Sequence, residues 1–557
     1  MTCLDVTSSK PVPLGYSRWR FLRLSDIAPT QSVSTTVGED LCFMPATALS
    51  AAIRAKRVSP VELVNAVYAR LHQINPRINA FCTLTEEQAH RAAKEAEAAV
   101  MRGDRLGALH GVPVSIKDLF LTRAVRTMYG SRIRENYIPE EDAPAVAKLL
   151  AAGAILIGKT TTPEFGFKGV TDSPLTGITR NPWDLSKTSG GSSGGAGAAV
   201  AAGLGPIAIG SDGGGSIRIP ASFNGIFGLK PSLGRVANYP SSPVPFLVQA
   251  GPLTRTVHDA ALLLNVIAGP DERDLLSLPA DATDYLAACE GGVRGLRVAW
   301  SPTLGYAKVD PEVASVTEAA AKVFESSLGC KVEAADPGFE SPWSMFSVLW
   351  TMSYALQLRT FLPEWENRMD LDLVTLIKGI ERLGPTDYGE AFAKRAVLWD
   401  TTRKFFDRFD LLLTPTSPVP AFAASRSSPE GIPVVPGALL PFPDWIPFTY
   451  PWNITGQRFG TVRVYSRAAA GGAPDRGPAL RGGDRSSSGG CFRASAAVGR
   501  QTATAVGPRL NDGRFRLGRF SPEKDNSRKV AEERVEIVRN HLVARSAHGD
   551  AFRSVTL

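Results

Sequence analysis

Short apolar runs alternate with amphipathic stretches from about residue 45 to residue 457 of this chain. The stretch "MPATALSAAIRAKRVSPVELVNAVYARLHQINP" carries apolar residues at helical spacing and predicts two helices, the second entered at Ser59 and Pro60. Further apolar runs recur between helical patterns at 112–117, 145–153, 154–160, 206–211, 259–269, 296–301 and 410–416. Buried strands that alternate with helices predict an α/β fold.

The same pattern predicts one large domain over residues 43–457, because neither an internal repeat nor a linker interrupts it. Helices are expected on both faces of its sheet. Residues 1–42 are rich in Ser, Thr and Pro without a sustained period, so we predict a poorly ordered N-terminal extension that carries no chemistry. Residues 458–557 differ from the rest of the chain in composition.

Composition and cysteine use narrow the class of protein. The 557 residues are 44% hydrophobic and 21% charged, which is typical of a globular chain. The six cysteines are scattered and predict neither a disulfide framework nor a zinc site: Cys3, Cys42, Cys82, Cys289, Cys330 and Cys491. Because no signal peptide and no membrane-length apolar run is found, we expect a soluble, cytoplasmic protein with no membrane partner.

The net charge of +8 raises the question of a nucleic-acid partner. Residues 458–557 hold 19 Lys and Arg against 9 Asp and Glu, a net of +10, whereas residues 1–457 hold 43 against 45. The main body is therefore slightly acidic. A basic excess confined to one unusual tail gives no support for nucleic-acid binding.

Two clusters of glycine and serine flank one predicted helix, "TSGGSSGG" from Thr188 and "GSDGGGSIR" from Gly210. Either cluster alone would ordinarily be a flexible linker. Each, however, adjoins predicted ordered structure. Because glycines permit positive φ and close backbone approach, "DGGGS" can direct successive N–H groups toward one point and predicts an oxyanion hole with Ser216 as the nucleophile at its edge.

A serine nucleophile requires a base, for which the sequence offers two candidates. The string "GGSSG" matches the GxSxG elbow and would make Ser192 the nucleophile with His258 as its partner. The preceding "NPWDLSKT" is interpreted as a loop and not a strand, which argues against the elbow, and His258 is expected at the surface or as a helix cap. Lys117 ends the apolar run "VPVSIK" and becomes a base if burial lowers its pKa; an ordinary solvated lysine, or one paired with Asp118, is the alternative.

Six strings, in this order, resemble the amidase signature family across residues 45–457: "LHGVPVSIKD", "AGAILIGKTTTPEFG", "TRNPWD", "SGGSSGG", "GSDGGGSIRIPASFNGIFGLKPSLGRV" and "TYPWNITGQ". The resemblance implies a central mixed, twisted sheet and a Ser-Ser-Lys triad. Lys117 matches the base, Ser192 the relay serine and Ser216 the nucleophile. Ser189, where proline is common, and "KPSLG" for the frequent "KPTYG" are small departures.

The resemblance also implies the surroundings of the triad and a cis peptide bond before Ser192, which Gly191 makes sterically easier. The N–H groups implied to hold the oxyanion are those of Gly213, Gly214, Gly215 and Ser216. The side chains implied to order the loops are those of Ser193, Asp212 and Arg218.

The implied activity is hydrolysis of a carboxylic acid amide to the acid plus ammonia or an amine through a seryl acyl-enzyme, without metal or cofactor. The region 341–365 is rich in aromatic residues and favours an apolar or aromatic amide, although an ordinary helix core would look the same. The alternative is the A subunit of a glutamine-dependent aminoacyl-tRNA amidotransferase, but "PEFGFKG" stands where that subunit typically has "DEFAMG". The partner expected is a small amide; homodimerisation stays open.

The tail after Gln457 is dense in Arg, Gly, Ala and Ser, which is typical of low-complexity disorder. The genetic code offers another interpretation. Read one base later, codons 471–480 for "GGAPDRGPAL" can encode "VGLQIVGPRY", similar to the family's C-terminal strand motif, and codons 461–465 and 489–493 can encode "PCGFT" and "AAAFE". We therefore predict a displaced reading frame from about codon 458, an incomplete C-terminal part of the fold and, as a further alternative, an inactive product.

Overall fold

The structure of the protein is a computed structural model that describes residues 41–242, 245–280, 282–434, 438–461 and 555–556. The predicted extension and most of the tail lie outside these described residues. Within them, no helix has the length and apolar character needed to cross a lipid bilayer.

The strands are mostly short and buried, and they are numbered here in chain order. They are β1 Phe81–Leu84, β2 Pro113–Lys117, β3 Ile155–Thr160, β4 Asp172–Ser173, β5 Gly177–Ile178, β6 Arg180–Asn181, β7 Asp184–Thr188, β8 Ile207–Asp212, β9 Phe227–Lys230, β10 Gln249–Thr254, β11 Arg297–Trp300, β12 Lys331–Ala334, β13 Leu411–Thr414, β14 Phe459–Thr461 and β15 Val555–Thr556.

The helices between these strands are numbered in the same way. They are α1 Ala46–Arg54, α2 Pro60–Ile78, α3 Glu86–Arg102, α4 Pro144–Ala151, α5 Gly194–Ala201, α6 Arg218–Asn224, α7 Val257–Ile267, α8 Tyr285–Ala288, α9 Pro311–Ser326, α10 Trp343–Leu358, α11 Leu362–Trp365, α12 Leu371–Lys378, α13 Pro385–Arg408 and α14 Pro451–Ile454. Short 3-10 turns cover Arg132–Arg134, Glu164–Gly166, Arg359–Phe361, Glu366–Arg368 and Gly379–Arg382.

Eleven strands form one sheet in the order β1-β3-β2-β8-β10-β9-β14-β15-β13-β11-β12. Strand β2 runs parallel to both β3 and β8, whereas β10 runs antiparallel to both β8 and β9. The sheet is therefore mixed, as predicted. Strands β4 with β5 and β6 with β7 form two separate hairpin-like pairs.

Both faces of the sheet are covered, and strand β8 shows this most directly. Its Ile207 and Ile209 belong to the large apolar cluster that includes α2, α3 and α7, whereas the intervening Ala208 belongs to a second cluster with α5 and α6. Side chains alternate between the two faces of a strand. The predicted α/β fold with helices on both faces is thus confirmed.

The N-terminal helices confirm the local prediction at Ser59. Its side chain accepts hydrogen bonds from the N–H groups of Val61 and Glu62 at 3.0 and 3.2 Å, and Pro60 is the first residue of α2. These contacts satisfy two of the N–H groups that a helix leaves unpaired at its start.

Candidate active site

The three proposed catalytic residues lie where adjacent elements of the sheet end. Lys117 is the last residue of β2, and Ser216 follows β8 in the turn that leads to α6. Because β2 and β8 are neighbouring parallel strands, their carboxyl ends meet at one edge of the sheet. Ser192 reaches that edge from the turn between β7 and α5.

Lys117 is fully buried, and its Nζ lies 2.7 Å from Ser192 Oγ. The same Nζ also lies 3.1 Å from Ser211 Oγ and 3.4 Å from the Ser211 carbonyl. Burial lowers the pKa of Lys117 well below 10.5, and the negative charge of Asp212 opposes this only in part. A neutral amine can accept a proton, so this lysine has the environment of a base and is not paired with Asp118.

The turn that carries Ser192 has the backbone geometry that the resemblance implies. The Gly191–Ser192 peptide bond is cis. A Cβ at Gly191 would collide with the carbonyl of Val170, so a glycine is required there. The next residue ties the turn to the second serine: Ser193 N–H donates to the Ser216 carbonyl at 3.1 Å, and Ser193 Oγ donates to the Ser211 carbonyl at 3.1 Å.

Ser216 is the most accessible of the three side chains, at 8% exposure against 2% for Ser192 and 0% for Lys117. Its hydroxyl makes no hydrogen bond within the part of the chain that the structure describes, and it does not bond to Ser192. Catalytic hydrogen bonds commonly tighten only when substrate is bound. The geometry thus joins Lys117 to Ser192 and holds Ser216 nearby through the Ser193 contact.

The glycine run before Ser216 presents fewer free N–H groups than the sequence predicts. The Gly215 N–H donates to Asp212 Oδ1 at 2.8 Å and is therefore occupied. The N–H groups of Gly213, Gly214 and Ser216 have no hydrogen-bond acceptor among the described residues. The predicted set of four oxyanion donors is accordingly reduced to these three.

Asp212 and Arg218 form a fully buried ion pair beneath this loop, with Arg218 Nη2 2.9 Å from Asp212 Oδ1 and Nε 3.0 Å from Oδ2. The carboxylate also accepts the Ile217 N–H at 3.1 Å. Burial alone would raise the pKa of Asp212, but the charge and hydrogen bonds of Arg218 outweigh it and hold that pKa below the ordinary range. Asp212 is therefore a permanent anion that fixes the loop.

The structure corrects the argument against a GxSxG elbow. Residues Asp184–Thr188 form strand β7 directly before Ser192, so "NPWDLSKT" is not only a loop. The elbow lacks its base for another reason: His258 is partly exposed on α7 and its Nε2 lies 3.2 Å from Glu290 Oε1. Within the described ranges, none of the histidines hydrogen-bonds to Ser192 or Ser216; His541 and His548 lie outside them.

The sequence patterns did not indicate three further residues at the site. Ser211 contacts Lys117, Thr449 Oγ1 donates to the Gly214 carbonyl at 2.6 Å, and Asn453 Nδ2 donates to both the carbonyl and Oδ1 of Asp212 at 2.9 Å. The last two belong to "TYPWNITGQ", one of the six strings that carry the resemblance, but more than 200 residues separate them from the glycine run.

Aromatic side chains of α10 cover the glycine run. A Cβ at Gly213 would lie 2.9 Å from the Trp350 ring, and one at Gly214 would lie 2.9 Å from the Phe346 ring. These two rings stack on each other at 5.2 Å, and Trp343 and Tyr354 extend the row at either end. The loop is therefore bordered by an apolar aromatic surface.

Known proteins resemble this chain over about three quarters of its length. The amidase family model matches residues 62–474. The chain is 41% identical over 439 residues to an acylamidase of Rhodococcus erythropolis (76% of this chain, 89% of the relative). It is 36% identical over 420 residues to the A subunit of the glutamyl-tRNA(Gln) amidotransferase of Carboxydothermus hydrogenoformans (71% and 86%). A bacterial aryl acylamidase of the amidase signature family superimposes with a TM-score of 0.69 at 30% identity, covering 76% of this chain and 89% of that one.

The chain belongs to the amidase signature family. It is accordingly a hydrolase that acts on amide C–N bonds.

Proposed function

We propose that this protein hydrolyses amides with Ser216 as nucleophile, Ser192 as proton relay and Lys117 as base. The observation that carries the proposal is the 2.7 Å contact between the fully buried Lys117 Nζ and Ser192 Oγ. A lysine amine buried against a serine hydroxyl, with no carboxylate bonded to its Nζ among the described residues, is poised to exchange a proton.

In the proposed reaction, Ser216 Oγ attacks the amide carbonyl carbon. The Ser216 proton passes to Ser192 Oγ, which gives its own proton to neutral Lys117. The N–H groups of Gly213, Gly214 and Ser216 bind the oxyanion that forms. When the C–N bond breaks, the relay returns a proton to the leaving nitrogen; water then hydrolyses the seryl ester by the same route, releasing the acid and restoring Ser216.

The proposed substrates are amides with an aromatic or apolar acyl group. Support comes from the Phe346 and Trp350 rings, which are buried against the glycines expected to hold the oxyanion and make that side of the site apolar. Aromatic surfaces offer large apolar area and ring-stacking contacts to such groups. The names of two relatives, an acylamidase and an aryl acylamidase, support an amide substrate that carries an aromatic group on one side.

The second candidate, an amidotransferase A subunit, is favoured by the 36% identity to one such protein. The two candidate functions differ in the co-substrates and partner proteins that they require. We expect the chain alone to release ammonia or amine from a simple aryl amide without glutamine, tRNA or a partner protein. Activity that appears only with glutamine, tRNA and partner proteins would instead assign the chain to the amidotransferase.

Covalent labelling tests the nucleophile. A fluorophosphonate probe is expected to add once per chain, with the adduct mapped by mass spectrometry to the peptide that contains Ser216. Ser216→Ala should abolish the label, whereas Ser222→Ala, a buried serine six residues further along on α6, should retain it. An adduct on Ser192, or a label that survives in Ser216→Ala, would refute the assignment.

We further propose that the codons beyond about 458 are read out of frame. The charge change at that point and the strand motif recovered one base later both support it.

A further inference from the structure

We propose that Thr449 is a positioning residue that orients the backbone of the oxyanion hole through a single hydrogen bond to the Gly214 carbonyl. The inference rests on the proposed roles of Ser216 and its loop. It concerns the segment "TYPWNITG", which the proposed mechanism does not otherwise use.

The Thr449 hydroxyl lies within reach of two carbonyl oxygens, Gly214 O at 2.6 Å and Ile446 O at 2.9 Å, but it has only one proton to donate. The Ile446 carbonyl already accepts the Thr449 N–H at 3.1 Å. The Gly214 carbonyl has no other donor among the described residues. The proton therefore belongs to the shorter contact, with Gly214.

This contact fixes one peptide plane of the loop from both ends. The carbonyl of the Gly214–Gly215 peptide accepts from Thr449, and its N–H donates to Asp212 Oδ1 at 2.8 Å. A peptide held at its oxygen and at its nitrogen cannot flip. Fixing this plane restricts the two neighbouring peptides, which carry the N–H groups of Gly214 and Ser216 that we propose as oxyanion donors.

Thr449 is itself anchored to the ion pair under the loop. Its carbonyl accepts Arg218 Nη1 at 2.9 Å, and Arg218 Nη2 donates to Asn453 Oδ1 at 2.7 Å. The approach is close: Gly215 has φ +134°, and a Cβ there would lie 2.5 Å from Thr449 Oγ1. A glycine at 215 is thus required by the presence of the threonine as well as by its own backbone conformation.

Thr449→Val keeps the shape of the side chain and removes the donor, leaving the Gly214 carbonyl unpaired. We expect it to lower the second-order rate of fluorophosphonate labelling by about 10- to 100-fold, less than the roughly 10²- to 10³-fold typical for deleting an oxyanion donor outright. Thr449→Ser, which keeps the hydroxyl, should stay within about threefold of the unchanged chain on the same physical ground. Amide hydrogen exchange in peptide 213–217 should become faster in Thr449→Val only.

The matched control is Thr402→Val. Thr402 is also fully buried and its hydroxyl also donates to backbone carbonyls, those of Leu398 at 3.0 Å and Trp399 at 2.9 Å, but it lies on α13 outside the proposed site. It should change neither the labelling rate nor exchange in peptide 213–217. If Thr449→Val does not fold, Thr449→Cys replaces it, since a thiol is a weak donor and should label more slowly than Thr449→Ser.

Two results would overturn the proposal. One is a labelling rate and an exchange rate that are both unchanged in Thr449→Val; the other is a Thr449→Ser variant that labels as slowly as Thr449→Val. The two readouts also separate it from the proposed nucleophile. If the unchanged chain takes no label, the assignment of Ser216 as the nucleophile fails. Hydrogen exchange still tests the positioning role in that case. Faster exchange in peptide 213–217 of Thr449→Val supports that role, and unchanged exchange refutes it.

Discussion

Restoring the reading frame beyond codon 457 is expected to raise the free energy of unfolding by more than about 5 kcal/mol and to raise amide hydrolysis far above that of the present chain. The shifted codons can encode "VGLQIV", which holds four large apolar residues. Each such side chain contributes roughly 1.5–3 kcal/mol when it is fully buried. The total is comparable with the whole stability of a typical domain.

The physical reason lies in the sheet beside β13. Leu411 and Leu413 pack into one apolar cluster and Leu412 into another, so this strand is buried on both faces. On the side toward β14, its partner among the described residues is β15, which pairs with Leu413 and Thr414. We expect the recovered apolar strand to pair in this region, because a buried strand needs partners for its backbone groups and unpaired buried groups are costly.

The measurement begins with resequencing the gene across codons 440–500, followed by urea unfolding and amide hydrolysis of the present and the frame-restored chains. As a control, the restored chain is made with a charged residue in the recovered strand, which should lose the gain in stability. A confirmed present frame together with equal unfolding midpoints and equal activity in both chains would show that the proposal is wrong.

The central strands could be predicted from the sequence, because their signal is local. Runs such as 112–117 and 154–160 are apolar and short and appear as β2 and β3. Strand β7 was missed because "DLSKT" is polar, and its inner and outer positions alternate in burial only once it pairs with β6. Its strand character therefore depends on a partner and not on its composition.

The candidate site also combines residues that the sequence predicts with contacts that it does not predict. Lys117 at a strand end and Ser216 after a glycine run could be predicted, because each stands in a distinctive local string. That the Gly215 N–H is taken by Asp212, and that Thr449 bonds to the loop, could not be predicted. These contacts depend on the direction of single N–H and hydroxyl groups, which hydrophobic patterns do not encode.

In the frame-restored chain, Lys117→Ala is expected to lower kcat by roughly 10⁴- to 10⁶-fold. Residues that transfer protons in sequence lose most of their joint contribution to catalysis when one of them is removed. Lys117→Arg should lose a similar factor, because a guanidinium stays positively charged near neutral pH and cannot act as a base. Thr402→Val, at the buried threonine of α13, serves as the control and should retain activity.

The pH dependence gives an independent test of the same residue. Burial lowers the pKa of Lys117 well below 10.5, and the base acts only in its neutral form. The ratio kcat/KM should therefore rise with pH through this lowered pKa and reach its plateau well below pH 10.5. A rate that still climbs through the ordinary lysine range, or a Lys117→Arg variant with substantial activity, would show that the proton goes to another group. The plateau and the inactive arginine variant together would identify the neutral amine, and not the positive charge, as what the site requires.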